Sequence, residues 1–291
     1  SALYPEVQIL SSRGCPNMCT FCEWPQVFTM RRYRTRSVRN VIDEMIWIER
    51  NLPDAKEIVF EDDTFGLNSE WLKEFCDELI MEGRNIVWSA QVRADLNHQL
   101  LSKMKEAGCR LLIVGFESGS NDVLARMKKG ITIEQSRRFA LNVRDSGMLL
   151  WADFIIGMLG ETKETIDMTR KMIAEIRPDM LQVSIATPYP GTEFYDSVKG
   201  GGYLEDDDPS RYLDEQGHQK AVISYPGLSA DDIKDTVDSI LKEYYLSPRY
   251  VPIALRQVLR KNGFGELRRL IASARTFVSS GPRQTFLRSE I

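Results

Sequence analysis

Three thiols crowd into one short stretch, Arg13–Gln26 (RGCPNMCTFCEWPQ), where Cys15, Cys19 and Cys22 are separated by three and two residues. Thiolates at that density are ligands for soft metal centres. A structural zinc site takes four protein ligands, and the other candidates are poor. The two histidines, His98 and His218, lie far away in the chain. Cys76 shares a helical face with Leu72, Phe75 and Leu79, and Cys109 precedes an apolar run, so both read as small core hydrophobes. An iron–sulfur cubane offers one ligand position per iron, and three cysteines leave one iron open for chemistry. A chance cluster or a zinc knuckle is the competing reading of the spacing. Five cysteines, three of them together, do not form a disulfide framework, which points to a reducing, cytoplasmic setting.

The elements that must position these thiols follow from periodicity. Short apolar runs alternate with amphipathic stretches, the pattern of βα units around a parallel sheet. Strands are predicted at Glu6–Leu10, Glu57–Phe60, 85–90 (NIVWSA), Arg110–Phe116, 148–158 (MLLWADFIIGM) and Met180–Ala186. Helices are predicted at Val38–Arg50, 69–83 with Ser69 as cap and Gly83 as terminator, His98–Gly108, Asp122–Met127, Ile133–Asp145 and 161–176. Six strands each feeding a helix predict an α/β fold, a partial (βα)6 TIM-like barrel with its chemistry at the C-terminal strand ends. The cysteine loop follows the first strand. After Ala186 the sequence becomes turn-rich, and a helix capped by Ser229 precedes a basic tail. The predicted division is a catalytic barrel over residues 1–200 and a mostly helical extension over 201–291.

Composition narrows the class. The 291 residues are 43% hydrophobic with a net charge of −4, which suits one large core and argues against a general nucleic-acid binder. No apolar run is long enough to span a bilayer, and no signal peptide is visible. The chain opens almost directly on a strand, which predicts a segment excised from a longer protein. Residues 247–291 carry nine basic and two acidic residues, so the tail is +7 and the remainder −11.

CxxxCxxC after a first strand, with Phe21 just before the last cysteine, resembles the radical S-adenosylmethionine (SAM) superfamily. The resemblance covers roughly Glu6–Tyr195. It implies a 4Fe–4S cluster on Cys15, Cys19 and Cys22 whose open iron is chelated by SAM, and reductive cleavage to a 5′-deoxyadenosyl radical. It also implies cofactor contacts at each strand end. In FEDDTF, Asp62 or Asp63 receives the methionyl ammonium; a solvated acidic loop is the bland alternative. In SAQVRAD, Gln91 and Arg93 face cofactor or substrate, with a surface ion pair as the alternative for Arg93. In GFESGS, Glu117 and Ser118 contact ribose and methionine. Gly157 lies beside the adenine, and Glu161 either shares that turn or simply begins a helix, where an acid suits the dipole. Pro188, in TPYPGTEFY, stiffens the sixth exit.

Within the superfamily, these stretches together with WPQ and RRYRTRS are most similar to the cobalamin-dependent subgroup. That implies modification of an unactivated carbon, by methylation or rearrangement, in a lipid, tetrapyrrole or secondary metabolite. Cobalamin would come through an N-terminal domain that this chain does not contain. The implied partners are a small-molecule or lipid substrate and a one-electron donor such as flavodoxin or ferredoxin. Arg31, Arg32, Arg34 and Arg36 either hold an anion and tune the cluster or form a solvated, salt-bridged loop. The basic tail either rests on an anionic membrane surface or covers the barrel or a neighbouring domain. Two other functions fit the thiols: a transfer-RNA methylthiotransferase, and a non-enzymatic iron–sulfur or zinc protein.

Overall fold

A computed structural model describes residues 5–258, apart from residue 216 and the side chains of 257 and 258. Six parallel strands form one sheet in the order β1 (Glu6–Ile9), β4 (Glu57–Phe60), β5 (Trp88–Val92), β6 (Cys109–Glu117), β7 (Leu149–Ile156) and β8 (Met180–Ile185). No pairing joins β8 back to β1 among the described residues, so the barrel is open. A two-stranded antiparallel clasp, β2 (Ser12–Arg13) with β3 (Arg34–Thr35), closes the base of the loop that carries the cysteines. All six strands of the sheet were legible as apolar runs; strands this short, two residues each, carry no such pattern.

The helices fill the outside: α1 (Val38–Asn51), α2 (Ser69–Met81), α3 (His98–Glu106), α4 (Asn121–Arg126), α5 (Ile133–Asp145), α6 (Lys163–Ile176), α7 (Glu193–Gly200), α8 (Ala230–Tyr245) and α9 (Val251–Val258). Helices α1 to α8 bury apolar residues, as in α1, where Val38, Val41, Ile42, Met45 and Ile46 are covered. Asn68 caps α2, accepting from the Glu70 and Trp71 amides; Ser69, the expected cap, is the first helical residue. Ser229 caps α8 in a reciprocal capping box with Asp232.

Along β7 the alternation separates the two faces. Ala152, Phe154 and Ile156 are buried under the helices, while Trp151, Asp153 and Ile155 alternate with them on the lumen side. Phe60, Phe65, Trp71, Phe75 and Trp88 form a packed aromatic group, with Trp71 stacked on Phe75 at 5.3 Å. With the Phe65 amide donating to the Gln91 carbonyl at 2.8 Å, this group fixes the acidic turn leaving β4. Near the N-terminal ends of the strands, Arg110 holds buried Glu57 through two hydrogen bonds of 3.0 and 2.8 Å.

Beyond residue 200, Tyr212, Val222, Ile223, Leu228, Ile233, Val237 and Ile240 join the same hydrophobic core as the barrel. α8 packs on β8. The Tyr245 hydroxyl donates to the Leu181 carbonyl and accepts from the Leu181 amide, both at 2.8 Å. The N-terminal part of the basic tail forms α9, whose Arg256 pairs with Asp179; residues 259–291, and with them most of the stretch read as a membrane or domain contact, lie outside the described residues. Among the described residues no helix is long and apolar enough to cross a membrane.

Removing the Tyr245 hydroxyl leaves both Leu181 groups without that partner. Tyr245→Phe is expected to lower the unfolding free energy by roughly 1–3 kcal/mol, measured by urea denaturation.

Candidate functional site

The six strand exits meet at one mouth, and the segment from Ser11 to Arg36 crosses it with little regular structure beyond the β2–β3 clasp and a single π-helical turn at Trp24–Phe28. Its shape comes from side chains and from backbone contacts to distant elements. Buried Asp62 accepts from the Ser11 amide at 2.8 Å and from both the Ser11 and Ser12 hydroxyls at 2.6 and 2.5 Å. Burial raises the Asp62 pKa, against the pull of those hydrogen bonds. Asp63 accepts from the Gly14 amide at 2.6 Å. Gly14 has φ +89°, and a Cβ there would sit 1.7 Å from the Arg32 carbonyl oxygen, so no other residue fits.

Further along, the Gln26 side chain donates to the carbonyls of Cys19, Thr20 and Cys22 at 3.0, 3.0 and 2.9 Å, and its oxygen accepts from the Glu193 amide at 2.9 Å. The Thr20 amide donates to Met127 at 2.9 Å, and its carbonyl accepts from the Phe194 amide at 3.0 Å. The loop is thereby tied to the end of α4 and the start of α7. Phe21 packs, partly buried, against the core.

Cys15 and Cys19 are buried and Cys22 is half-buried. Cys15 Sγ lies 3.1 Å from Asn17 Nδ2 and 3.6 Å from Thr64 Oγ1. Burial pushes the Cys22 thiol up to about 12. Burial also raises Cys19, against the positive charges of Lys129 and Arg93. Among the described residues no group of His, Cys, Asp or Glu converges as around a single ion. The donor set itself, three thiols with donors and cations nearby, suits a thiolate-bound cluster in which metal replaces the protons.

Both cations are buried. Lys129 Nζ lies 2.5 Å from Glu117 Oε1; burial would lower its pKa, but Glu117 and Cys19 outweigh that and raise it. Arg93 donates to the Lys129 carbonyl at 2.5 Å and pairs with Asp95 at 3.1 Å. Glu117 is aimed by a register shift in β6 and a left-handed φ of +65°, a costly conformation outside glycine. Its carboxylate occupies space that a Cβ on Gly115 would fill, at 2.2 Å. Next to it, Asp153 has a solvent-shielded, unpartnered Oδ1, and burial followed by the Glu117 charge raises its pKa to about 8. Lys129 and Asp153 were not anticipated. A lysine in a polar-looking MKKG run carries no sequence mark of burial.

The remaining expected residues are spread around the mouth. Gln91 donates to Glu61 at 3.1 Å. Ser118 is fully buried, 3.5 Å from the Thr169 hydroxyl and accepting from the Ser120 amide at 3.2 Å, so its hydroxyl is engaged with the helix layer. The Gly157 amide donates to Glu161 at 2.6 Å and its carbonyl accepts from the Tyr225 hydroxyl at 3.0 Å. Glu161 also accepts from the Met158 amide at 3.3 Å, which makes it a brace of the fifth exit. Pro188 is buried beside that exit's neighbour, after β8.

Two outcomes follow. Gln26→Leu strands three carbonyls, so it is expected to destabilise the chain by about 1–3 kcal/mol or more and to reduce iron bound after anaerobic reconstitution, measured per chain. Glu161, raised to about 7 by burial against two backbone hydrogen bonds, binds its proton more tightly folded than unfolded. It therefore adds stability that is full below its unfolded value near pH 4.5 and is lost as pH rises through 7. Urea denaturation from pH 5 to 7.5 should show a shallower decline in Glu161→Gln than in the parent chain.

The Radical SAM superfamily profile matches residues 9–173. An uncharacterized methyltransferase of Pyrococcus horikoshii is 30% identical over 257 residues, covering 88% of this chain and 54% of that protein. The anaerobic magnesium-protoporphyrin IX monomethyl ester cyclase of Rubrivivax gelatinosus is 26% identical over 280 residues, covering 94% of this chain and 48% of the cyclase. The chain thus spans about half the length of these curated relatives. Among solved structures, the radical SAM methyltransferase TsrM of Kitasatospora setae, with cobalamin and a 4Fe–4S cluster bound, superposes with a TM-score of 0.69 at 19% identity, over 84% of this chain and 51% of that one. At that identity the likeness concerns the fold.

Proposed function

The chain belongs to the radical SAM superfamily, enzymes that use a 4Fe–4S cluster and S-adenosylmethionine, and from that premise we propose that Cys15, Cys19 and Cys22 hold the cluster and that the enzyme modifies an unactivated carbon. Family membership sets aside the non-enzymatic reading. The observation that carries the proposal is the placement of three thiols on one braced loop at the barrel mouth, with buried Lys129 and Arg93 acting on Cys19. A cluster on these three thiols would supply the electron for reductive cleavage of bound SAM.

The chain's own residues then have distinct tasks. Asp62 and Gln26 hold the loop in shape, the one through Ser11 and Ser12, the other through three carbonyls. Asp63 receives the methionyl ammonium. Lys129 and Arg93 favour negative charge beside Cys19, and Lys129 is the buried cation best suited to a carboxylate once it exchanges part of its pairing with Glu117. Gln91, Glu117 and Ser118 form the wall on the β5–β6 side, the last by fixing its turn. Gly157, whose amide and carbonyl are engaged by Glu161 and Tyr225, lies beside the adenine by shape alone, and Pro188 and Phe21 exclude water from the flanks.

The finer reading is a cobalamin-linked methylation or rearrangement of a lipid, tetrapyrrole or secondary metabolite, with residues 1–200 as catalytic barrel and 201–291 as extension. It is supported by the relatives, a methyltransferase and a tetrapyrrole cyclase.

The reconstituted protein, incubated anaerobically with SAM and dithionite, is expected to release 5′-deoxyadenosine. Cys19→Ala should lower that release at least ~100-fold, the scale on which loss of an essential group acts. S-adenosylhomocysteine that forms only with added cobalamin would establish methyl transfer. Equal deoxyadenosine from the parent chain and Cys19→Ala would overturn the assignment.

A further inference from the structure

The open side of the barrel, next to the edge strand β1, carries two carboxylates with no cation. Phe60 of β4 and Trp88 of β5 pack edge to face with Phe75 of α2, under the helices. Strand residues one position away therefore turn into the lumen. Register places them in levels: Gln8, Val59 and Ser89 share one, Glu6 and Glu57 lie below it, and Glu61 follows above, held by the Gln91 amide at 3.1 Å. Glu6 is half-buried, and Gln8 and Glu61 are exposed, so a ligand can reach them.

Elsewhere around the lumen charge is answered. Glu57 is held by Arg110, Glu117 by Lys129 and Arg93 by Asp95. Glu6 and Glu61 have only amides, Gln8 donating to the first at 3.4 Å and Gln91 to the second. Among the described residues neither has a cationic partner. Burial, and then the Glu6 charge, raise the Glu61 pKa, the sign of negative potential without compensation. Between the two levels sits Ser89, 1% exposed, whose hydroxyl has no hydrogen-bond partner. Its neighbours Trp88 and Ala90 face the helices, so this hydroxyl points into the lumen at the level of Gln8. A buried hydroxyl without a partner is costly in the fold alone and is explained by a ligand that meets it. Across the lumen the wall is apolar: Ile113 shares a level with Gln91, and Trp151 with Ile113.

Resting on the reading above that the barrel modifies a carbon of a small molecule, we propose that Glu6 and Glu61 bind a protonated amine of that substrate, with Ser89 accepting from it and Ile113 and Trp151 covering its apolar part. A primary ammonium brings three donors, one for each carboxylate and one for the Ser89 hydroxyl oxygen. An indole face across the lumen also favours a cation. The contact is non-covalent and moves no proton or electron. Among the substrate classes above it selects an amine-bearing secondary metabolite and disfavours a substrate that presents a carboxylate here, which two unpaired acids repel.

Three probes of similar size test the choice: 2-phenylethylamine, 2-phenylethanol and phenylacetate, titrated by calorimetry into the full chain with its cluster reconstituted and SAM present. The amine is expected to bind at least ~10-fold more tightly than the alcohol or the carboxylate, the scale of a hydrogen bond to a charged group. Glu6→Gln/Glu61→Gln should remove that preference and leave SAM affinity unchanged. Ser89→Ala should weaken the amine at least ~3-fold with no loss of thermal stability, because the hydroxyl it removes has no partner in the free chain. The inference is overturned by alcohol or carboxylate binding as tightly as the amine, by no amine binding to the parent chain, or by a preference that survives in the double variant. Loss of SAM binding in the double variant overturns it too, since the carboxylates would then serve the cofactor, as does a Ser89→Ala chain that is destabilised but binds the amine unchanged. If the parent chain with SAM and dithionite yields no deoxyadenosine while the amine preference holds, the assigned chemistry fails and the amine site stands.

Discussion

A buried loop without regular secondary structure must find a partner for every backbone polar group it hides, and here much of that task falls on one side chain. The Gln26 amide satisfies three carbonyls of the thiol segment and simultaneously takes the first amide of α7. Asp62 does the same at the other end, where two serines and a backbone amide converge on one carboxylate. The thiols can be close together and partly buried only because these two residues, which contribute no sulfur, set the path of the chain between them. The clasp, the π-helical turn and the bond from Thr20 to α4 all depend on that path.

The lumen obeys a related constraint. Charge is brought inside only in groups that answer each other. Arg110 and Glu57 sit toward the N-terminal strand ends, and Lys129 and Glu117 toward the mouth. Burial makes each single charge expensive, and pairing offsets much of that cost. Asp153 has no such partner and holds its proton into the neutral range. The mouth therefore contains both a buried cation near Cys19 and a carboxyl group that burial keeps protonated into the neutral range.

The sheet was readable because buried parallel strands write themselves as apolar runs, and Arg110–Phe116 or Met180–Ala186 could hardly be anything else. The cysteines were readable because thiols at that spacing have few uses. What escaped was everything decided by three-dimensional neighbours. Asn68 takes the cap that Ser69 seemed placed for in sequence, because its side chain reaches the Glu70 and Trp71 amides. Asp62 stands in a run of three acids with nothing to distinguish the one that braces the loop. Lys129 looks like any surface lysine until the turn after α4 brings it inward beside Glu117. Local composition carries propensity; it does not carry which side chain is turned toward which.

An open barrel leaves two strand edges, and an unprotected edge is a template on which another polypeptide can add itself. At β8 the place of the next strand is taken by a phenol. The Tyr245 oxygen answers the donor and the acceptor of Leu181 at once, a job normally done by the backbone of a neighbouring chain. With α8 packed on β8 as well, the edge is covered at this point while the barrel stays open.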